Sequence, residues 1–210
     1  MEGLIGRKIG MTQVWDSQGR FVPVTIIEAG PCPVVQVKSK ERDGYTAVQV
    51  GFGAQKESRL SKAELARFNK AGIAPCRCVK EFALAQGAET PATGTAFTVE
   101  LFDGVKYVDV TAVTKGRGFA GVVRRYRMAG GPSTHGGHSK RRPGSVGMRD
   151  LPGWIEKGKR MPGHMGAKKR TGRNLEVIQV RKDDNLLLLH GAVPGPAGAL
   201  VVIRKALKKG

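Results

Sequence analysis

The chain has 210 residues and a formal net charge of +19, from 36 lysines and arginines against 17 acidic residues. No apolar run approaches the roughly 18 residues that span a bilayer, and residues 1–8 hold glycines and charges where a signal peptide would be apolar. Three cysteines, two of them spaced as C-x-C at Cys76 and Cys78, match no disulfide or zinc-site pattern, so a reducing cytoplasm is expected.

Short strands separated by turn residues dominate the first quarter of the chain. A strand is predicted at residues 21–28, where β-branched and aromatic residues follow a polar turn. Residues 34–38 and 45–52 are also strand-like and bracket Asp43-Gly44, a dipeptide typical of tight hairpins. This pattern predicts an antiparallel pair.

One helix is predicted as a small insertion near residues 58–72. Ser61 and Glu64 have the spacing of a capping box, Leu65 and Phe68 recur at helical spacing, and Gly72 is a suitable terminator. The alternative is a charged surface loop.

The remaining strands predict a closed or nearly closed β-barrel. Residues 95–102 and 105–113 bracket Asp103-Gly104 and predict a second hairpin. Three more strands are predicted at residues 175–181, 186–190 and 199–204, and the first two flank an Asp-Asp-Asn turn at residues 183–185. The expected fold is mainly β, with one discontinuous barrel domain formed by residues 1–113 and 174–210.

Residues 114–173, between the two parts of that barrel, form a strongly basic segment. It holds 16 basic residues, two acidic residues (Asp150 and Glu156) and 14 of the 30 glycines, so it carries +14 of the net charge. Large aliphatic side chains are few, and such a composition cannot offset its own charge repulsion by burying apolar surface. We therefore expect a long, irregular Gly/Arg/Lys-rich extension that is ordered by a polyanion, most simply nucleic acid.

Three motifs in the segment imitate enzyme sites. Residues 116–121 match G-x-G-x-x-G, but no acidic residue lies about 20 positions on and glycines interrupt any following helix. Residues 153–160 resemble a P-loop, but Arg160 stands where Ser or Thr would bind magnesium. His135 and His138 have no nearby Cys or carboxylate. We expect no enzyme activity, cofactor, metal or small-molecule substrate. The alternative is a nucleotide-dependent enzyme, and binding of a nucleotide cofactor would support it.

The segment has the residue types that bind RNA. Arginine guanidinium groups can bind phosphates through two hydrogen bonds. Tyr126 and Trp154 are aromatic side chains among basic residues, on which bases can stack. The alternative for Tyr126 is a small satellite core with Val122 and Val123. Prolines beside glycines predict a sharply bent strand, which fits between RNA helices better than in a DNA groove. A free architectural nucleic-acid-binding protein is the alternative reading.

The predicted RNA contacts share positive charge, an imidazole or a flat ring. They are Lys115, Arg117, Arg124, Arg125, Tyr126, Arg127, His135, His138, Lys140, Arg141, Arg142, Arg149, Trp154, Lys157, Lys159, Arg160, His164, Lys168, Lys169, Arg170 and Arg173. Weaker candidates outside the segment are Lys8, Lys205, Lys208 and Lys209.

Motifs along nearly the whole chain resemble the universal L-three family of large-subunit ribosomal proteins, in its bacterial form. In order, they occupy residues 6–12 (GRKIGMT), 22–25, 29–33, 43–45, 114–121 (TKGRGFAG), 130–132, 135–136, 142–147 (RPGSVG), 157–166 (KGKRMPGHMG), 185–188 and 191–195. Each motif is weak by itself, but their order and spacing are specific.

The resemblance implies a barrel like those of translation factors, bound on the solvent side of the large subunit. It also implies an extension that runs through ribosomal RNA toward the peptidyl-transferase centre with residues 148–155 at its tip, an early role in subunit assembly, and no catalysis. Expected partners are large-subunit ribosomal RNA and neighbouring ribosomal proteins, with no membrane. Two stretches depart from the family pattern: residues 151–155 (LPGWI) and 125–128 (RYRM).

Overall fold

The computed structural model describes residues 3–16, 18–84 and 90–208. Twelve strands are present in these ranges: β1 Gly3–Trp15, β2 Phe21–Ala29, β3 Cys32–Lys38, β4 Ala47–Ala54, β5 Cys76–Ala83, β6 Ala96–Phe97, β7 Tyr107–Val113, β8 Phe119–Ala120, β9 Gly163–His164, β10 Lys169–Arg181, β11 Leu186–His190 and β12 Leu200–Lys205. The helices are α1 Lys40–Asp43, α2 Lys62–Ala71 and α3 Val122–Tyr126, with 3₁₀ turns at Glu57–Arg59 and Val99–Phe102. No helix in the described ranges is both long and apolar enough to cross a membrane.

The chain divides into two compact units. The first combines the residues up to Val113 with those from Lys169 onward, and the second is Thr114–Lys168. The first unit contains a closed barrel of six strands in the order β1-β12-β7-β10-β11-β2, with every neighbouring pair antiparallel. The predicted mainly β fold with a barrel is confirmed.

Alternating side chains of the barrel strands form its core. Along β7, Val108, Val110 and Ala112 are buried, whereas Asp109 and Thr111 are only partly covered. The same alternation places Val201 and Ile203 of β12 inside. Strands with this period of two bury one face and leave the other toward solvent. The outer face of the barrel is therefore free to carry polar and charged groups.

Strand β1 was not predicted, although it is one of the two longest strands. Three glycines, at positions 3, 6 and 10, lower its apparent strand propensity. A Cβ on Gly3 would lie 2.5 Å from the carbonyl oxygen of Ile203, and one on Gly6 would lie 2.5 Å from that of Glu28. Gly3 and Gly6 are needed because neighbouring backbone approaches closely, a requirement that appears only in the folded barrel.

A second, four-stranded sheet has the order β5-β4-β3-β6. β3 and β4 pair antiparallel as predicted, but the connection is α1, which ends at Gly44 in a left-handed conformation with φ 81°. The second predicted hairpin is wrong. β6 pairs with β3, Val99–Phe102 is a 3₁₀ turn with buried Val99 and Phe102, and β7 pairs with β10 and β12.

The predicted helix is confirmed as α2. The Ser61 hydroxyl accepts a hydrogen bond from the Glu64 amide at 3.3 Å, and the Glu64 carboxylate accepts one from the Ser61 amide at 3.1 Å. Gly72 ends the helix with φ 65°. Phe68 is its buried residue and packs with Val35 of β3, which attaches the helix to the second sheet.

Strand β10 begins at Lys169, six residues before the strand predicted at residue 175. Lys169 pairs with Val113 and Arg170 with Ala112, so the last part of the predicted irregular extension belongs to a barrel strand. Polar residues conceal this start because the outer face of the barrel tolerates them. Lys169, Arg170 and Arg173 are therefore barrel residues.

Candidate nucleic-acid interface

The two ends of Thr114–Lys168 run antiparallel to each other. The Arg117 amide donates to the Met165 carbonyl at 2.8 Å, and the Met165 amide donates to the Gly118 carbonyl at 2.9 Å. Next to these bonds, β8 pairs with β9. The two ends of the segment therefore form a short antiparallel pair, which we call its base, and the segment is not an open loop.

Glycine permits the close contact in this base. Gly166 has φ 78°, and a Cβ there would overlap the carbonyl oxygen of Lys115. Gly118 also has a left-handed backbone, with φ 62°. Gly118, the middle glycine of the motif that imitates a dinucleotide fingerprint, thus serves backbone geometry, because glycine takes this conformation without strain.

Arg125 and Tyr126 lie at the end of the short helix α3. An Arg125 guanidinium nitrogen donates to the carbonyl of Met161 at 2.5 Å. The half-buried Tyr126 ring has the guanidinium carbon of Arg125 5.0 Å from its centroid and that of Arg160 at 5.8 Å. Arg125 and Tyr126, both predicted to contact RNA, therefore also make contacts within the segment itself.

From Met128 to Met161 the segment has no regular strand or helix. Its internal hydrogen bonds include one that joins two distant parts of the stretch, in which the Gly131 amide donates to the Lys140 carbonyl at 3.2 Å. Trp154 is 68% exposed and Leu151 is 80% exposed. Large apolar side chains this exposed have no packing role within the segment.

All the predicted contacts except Arg125 and Tyr126 are exposed, which makes 19 of the 21 residues. Within Thr114–Lys168, all of which is described, the structure shows one ion pair, between Arg149 and Asp150 at 3.9 Å. Apart from Arg149, the segment therefore presents cations that are not paired with a carboxylate of the segment. Exposed guanidinium and ammonium groups in this density bind phosphates and release condensed counterions.

Lys8 is a correction to the weaker predictions. Its side chain is buried, and its ammonium donates to the carbonyls of Val193 at 2.8 Å and Gly195 at 3.3 Å. A lysine so placed contacts protein backbone and cannot reach a phosphate. Lys205 and Lys208 are exposed, and Lys209 lies outside the described residues.

The described ranges contain no group of three or more His, Cys, Asp or Glu side chains that could hold a metal ion. Burial raises the pKa of the Cys32 thiol to about 12, and its Sγ donates to the Ile5 carbonyl at 3.3 Å. A protonated, buried thiol is a packing residue rather than a nucleophile.

Comparison with known proteins gives consistent matches. The family model described as Ribosomal protein L3 matches residues 78–186. Three similar proteins carry the name Large ribosomal subunit protein uL3. That of Brachyspira hyodysenteriae is 44% identical, over 100% of this chain and 96% of its own length. That of Deinococcus radiodurans is 46% identical, over 99% and 96%. That of Corynebacterium jeikeium is 47% identical, over 100% and 96%.

Proposed function

The chain belongs to the ribosomal protein L3 family in its bacterial form, and from this premise we propose that its basic segment binds ribosomal RNA within the large subunit. The coarser role is that of a structural constituent of the large ribosomal subunit, in the bacterial cytoplasm. The protein is a component of that particle and not an enzyme.

The observation that carries the proposal is the composition of the second unit. Ala120 and Val122 are the buried apolar residues of Thr114–Lys168, whose residues are all described. Two small side chains supply only a few kcal/mol of hydrophobic stabilisation at about 25 cal/mol per Å². The segment therefore needs an external polyanion to fix its path, and RNA of the same subunit is the nearest one.

The path of the segment supports two finer proposals. Its apolar tip, with exposed Met148, Leu151 and Trp154, suits contact with unstacked bases, and the family resemblance directs that tip toward the peptidyl-transferase centre. A segment that RNA must order is best incorporated while that RNA is still folding. We therefore assign the protein an early step of subunit assembly, with neighbouring ribosomal proteins as its other partners.

Sedimentation of a cell lysate through sucrose, first in low and then in high salt, tests the proposal. Co-migration with large subunits at both salt concentrations is expected, because a segment enclosed by folded RNA cannot dissociate one contact at a time. Release into light fractions at modest salt would favour a loosely bound, free architectural nucleic-acid-binding protein.

Substitution of Arg141 and Arg142 together by glutamine tests the segment directly. Both side chains are exposed and make no ion pair in the described structure, so folding should be unaffected. Loss of two phosphate contacts should lower incorporation into subunits several-fold, measured by quantitative mass spectrometry of purified particles. The matched control is Arg77→Gln with Arg181→Gln, two exposed arginines of the first unit. Equal incorporation of both variants would remove Arg141 and Arg142 from the interface.

A further inference from the structure

A basic cleft lies on the outer face of the barrel, within the first unit. It has a volume of about 400 Å³ and is lined by the end of β5, by β7, β10 and β12, and by the residues that follow β12. Four of its lining residues are cations, Arg173, Arg204, Lys205 and Lys208, and one is an acid, Asp109. We call these five residues with the space between them the barrel cleft.

Strand register creates this arrangement. Arg204 of β12 is directly opposite Asp109 of β7, so both lie in one row across the barrel wall. On the other side of β7, the β10 register shifts between Gly172 and Leu175, and the bulge contains Arg173 and Asn174. Bulges redirect side chains. The result places an arginine on each side of the same carboxylate.

The bulge itself is held by that carboxylate. Asn174 has a left-handed backbone with φ 52°, and its amide donates to Asp109 Oδ1 at 2.7 Å. Neither Arg173 nor Arg204 makes an ion pair with Asp109 in the described structure, although both line the same cleft. Asp109 thus acts on the backbone, and the guanidinium groups are left to bind something else.

One guanidinium of the cleft is already oriented. The guanidinium carbon of Arg204 lies 5.6 Å from the centroid of the buried Phe82 ring. Such a cation–π contact restricts the side chain while leaving hydrogen-bond donors free. A pre-oriented donor loses less entropy when it binds, which increases affinity.

We propose that the barrel cleft is a second RNA-binding site, which holds a phosphodiester segment of ribosomal RNA on the barrel wall. This inference rests on the proposed function and adds a site outside the basic segment. Four cations against one engaged carboxylate match the regular negative charge of a nucleic-acid backbone, and arginine forks fit phosphate oxygens bidentately. The hydroxyls of Thr111 and Thr171, 2.8 Å apart in the lining, add hydrogen-bonding capacity for sugar and phosphate oxygens.

The test measures binding of the full chain to an in vitro transcript of large-subunit ribosomal RNA at several salt concentrations. The cleft variant is Arg173→Gln with Arg204→Gln, and the matched control is again Arg77→Gln with Arg181→Gln. Each phosphate contact contributes about 0.7 to 0.9 to the slope of log affinity against log salt. The cleft variant should lower that slope by about 1.5 and weaken binding roughly tenfold at 0.15 M salt, whereas the control should change neither.

The outcomes separate this inference from the proposed function. If the unsubstituted chain binds the transcript no better than random RNA of equal length, the proposed function fails. If it binds well and the cleft variant equals the control, the cleft inference alone is overturned. Lys205→Gln with Lys208→Gln provides a second variant should the first fail to fold, judged by circular dichroism. A cleft variant that keeps RNA binding but loses an acidic ribosomal protein from purified subunits would reassign the cleft to protein.

Discussion

At the scale of single residues, charge alone did not reveal what a side chain contacts. Lys8 and Lys115 are both lysines in motifs of the family, yet Lys8 is buried against two carbonyls and Lys115 is exposed in the basic segment. Arg125 donates to the Met161 carbonyl, whereas Arg124 beside it is exposed. The difference depends on the neighbouring backbone, which a sequence position does not specify.

Replacement of Lys8 by methionine should destabilise the barrel without affecting RNA directly. Methionine matches the apolar stem but leaves the Val193 and Gly195 carbonyls without the donor, at a cost of about 2 to 3 kcal/mol. Urea unfolding followed by circular dichroism measures the change. Lys106→Met is the control, because Lys106 is exposed and should change stability by less than about 0.5 kcal/mol. Equal stability of the two variants would contradict a structural role for Lys8.

At the scale of elements, local signals succeeded where the determining contacts are local. The capping box of α2 involves residues three positions apart, and the Asp-Asp-Asn turn between β10 and β11 joins strands that do pair. β1 was missed and residues 95–102 were misassigned because their partners are distant in the chain. Gly3 meets Ile203, and β6 pairs with β3.

The glycines of β1 provide a test with an internal control. Gly3→Ala should destabilise the protein by about 1 to 3 kcal/mol, because its Cβ would meet the Ile203 carbonyl oxygen and the Phe82 ring. Gly10→Ala in the same strand has nothing within 4 Å and should leave stability unchanged or raise it by up to about 1 kcal/mol. The test compares the urea concentrations at the unfolding midpoints of the two variants. A Gly3 variant as stable as the Gly10 variant would show that the backbone near Gly3 can shift to accommodate a Cβ at no cost in stability.

At the scale of the whole molecule, the two units have different sources of order. The first unit has a continuous buried core of aliphatic and aromatic side chains, and the second has two buried apolar residues and 13 cations. Val113 and Lys169, which flank the second unit, are partners in adjacent antiparallel strands. The barrel can therefore close without the chain between them.

Replacement of residues 114–168 by Asn-Gly should leave a folded barrel. The dipeptide forms a tight hairpin between the paired ends of β7 and β10, and a shorter loop lowers the entropy cost of closure. We expect a single cooperative urea transition at or above the midpoint of the full chain, together with weaker binding to the large-subunit RNA transcript. A variant without a cooperative transition would show that the barrel depends on the basic segment.

The sequence by itself determined the properties that depend on composition and on near neighbours: the segregation of charge into one segment, the capped helix, most of the strands and the family motifs. Only the tertiary structure decided which strands pair, that Lys8 is internal, that the strand after the basic segment begins at Lys169, and that Arg173 and Arg204 face one cleft. The physical reason is that strand register and burial are set by contacts between residues that lie from tens of positions to about two hundred positions apart. Their energy depends on close packing, which exists only after the barrel has closed.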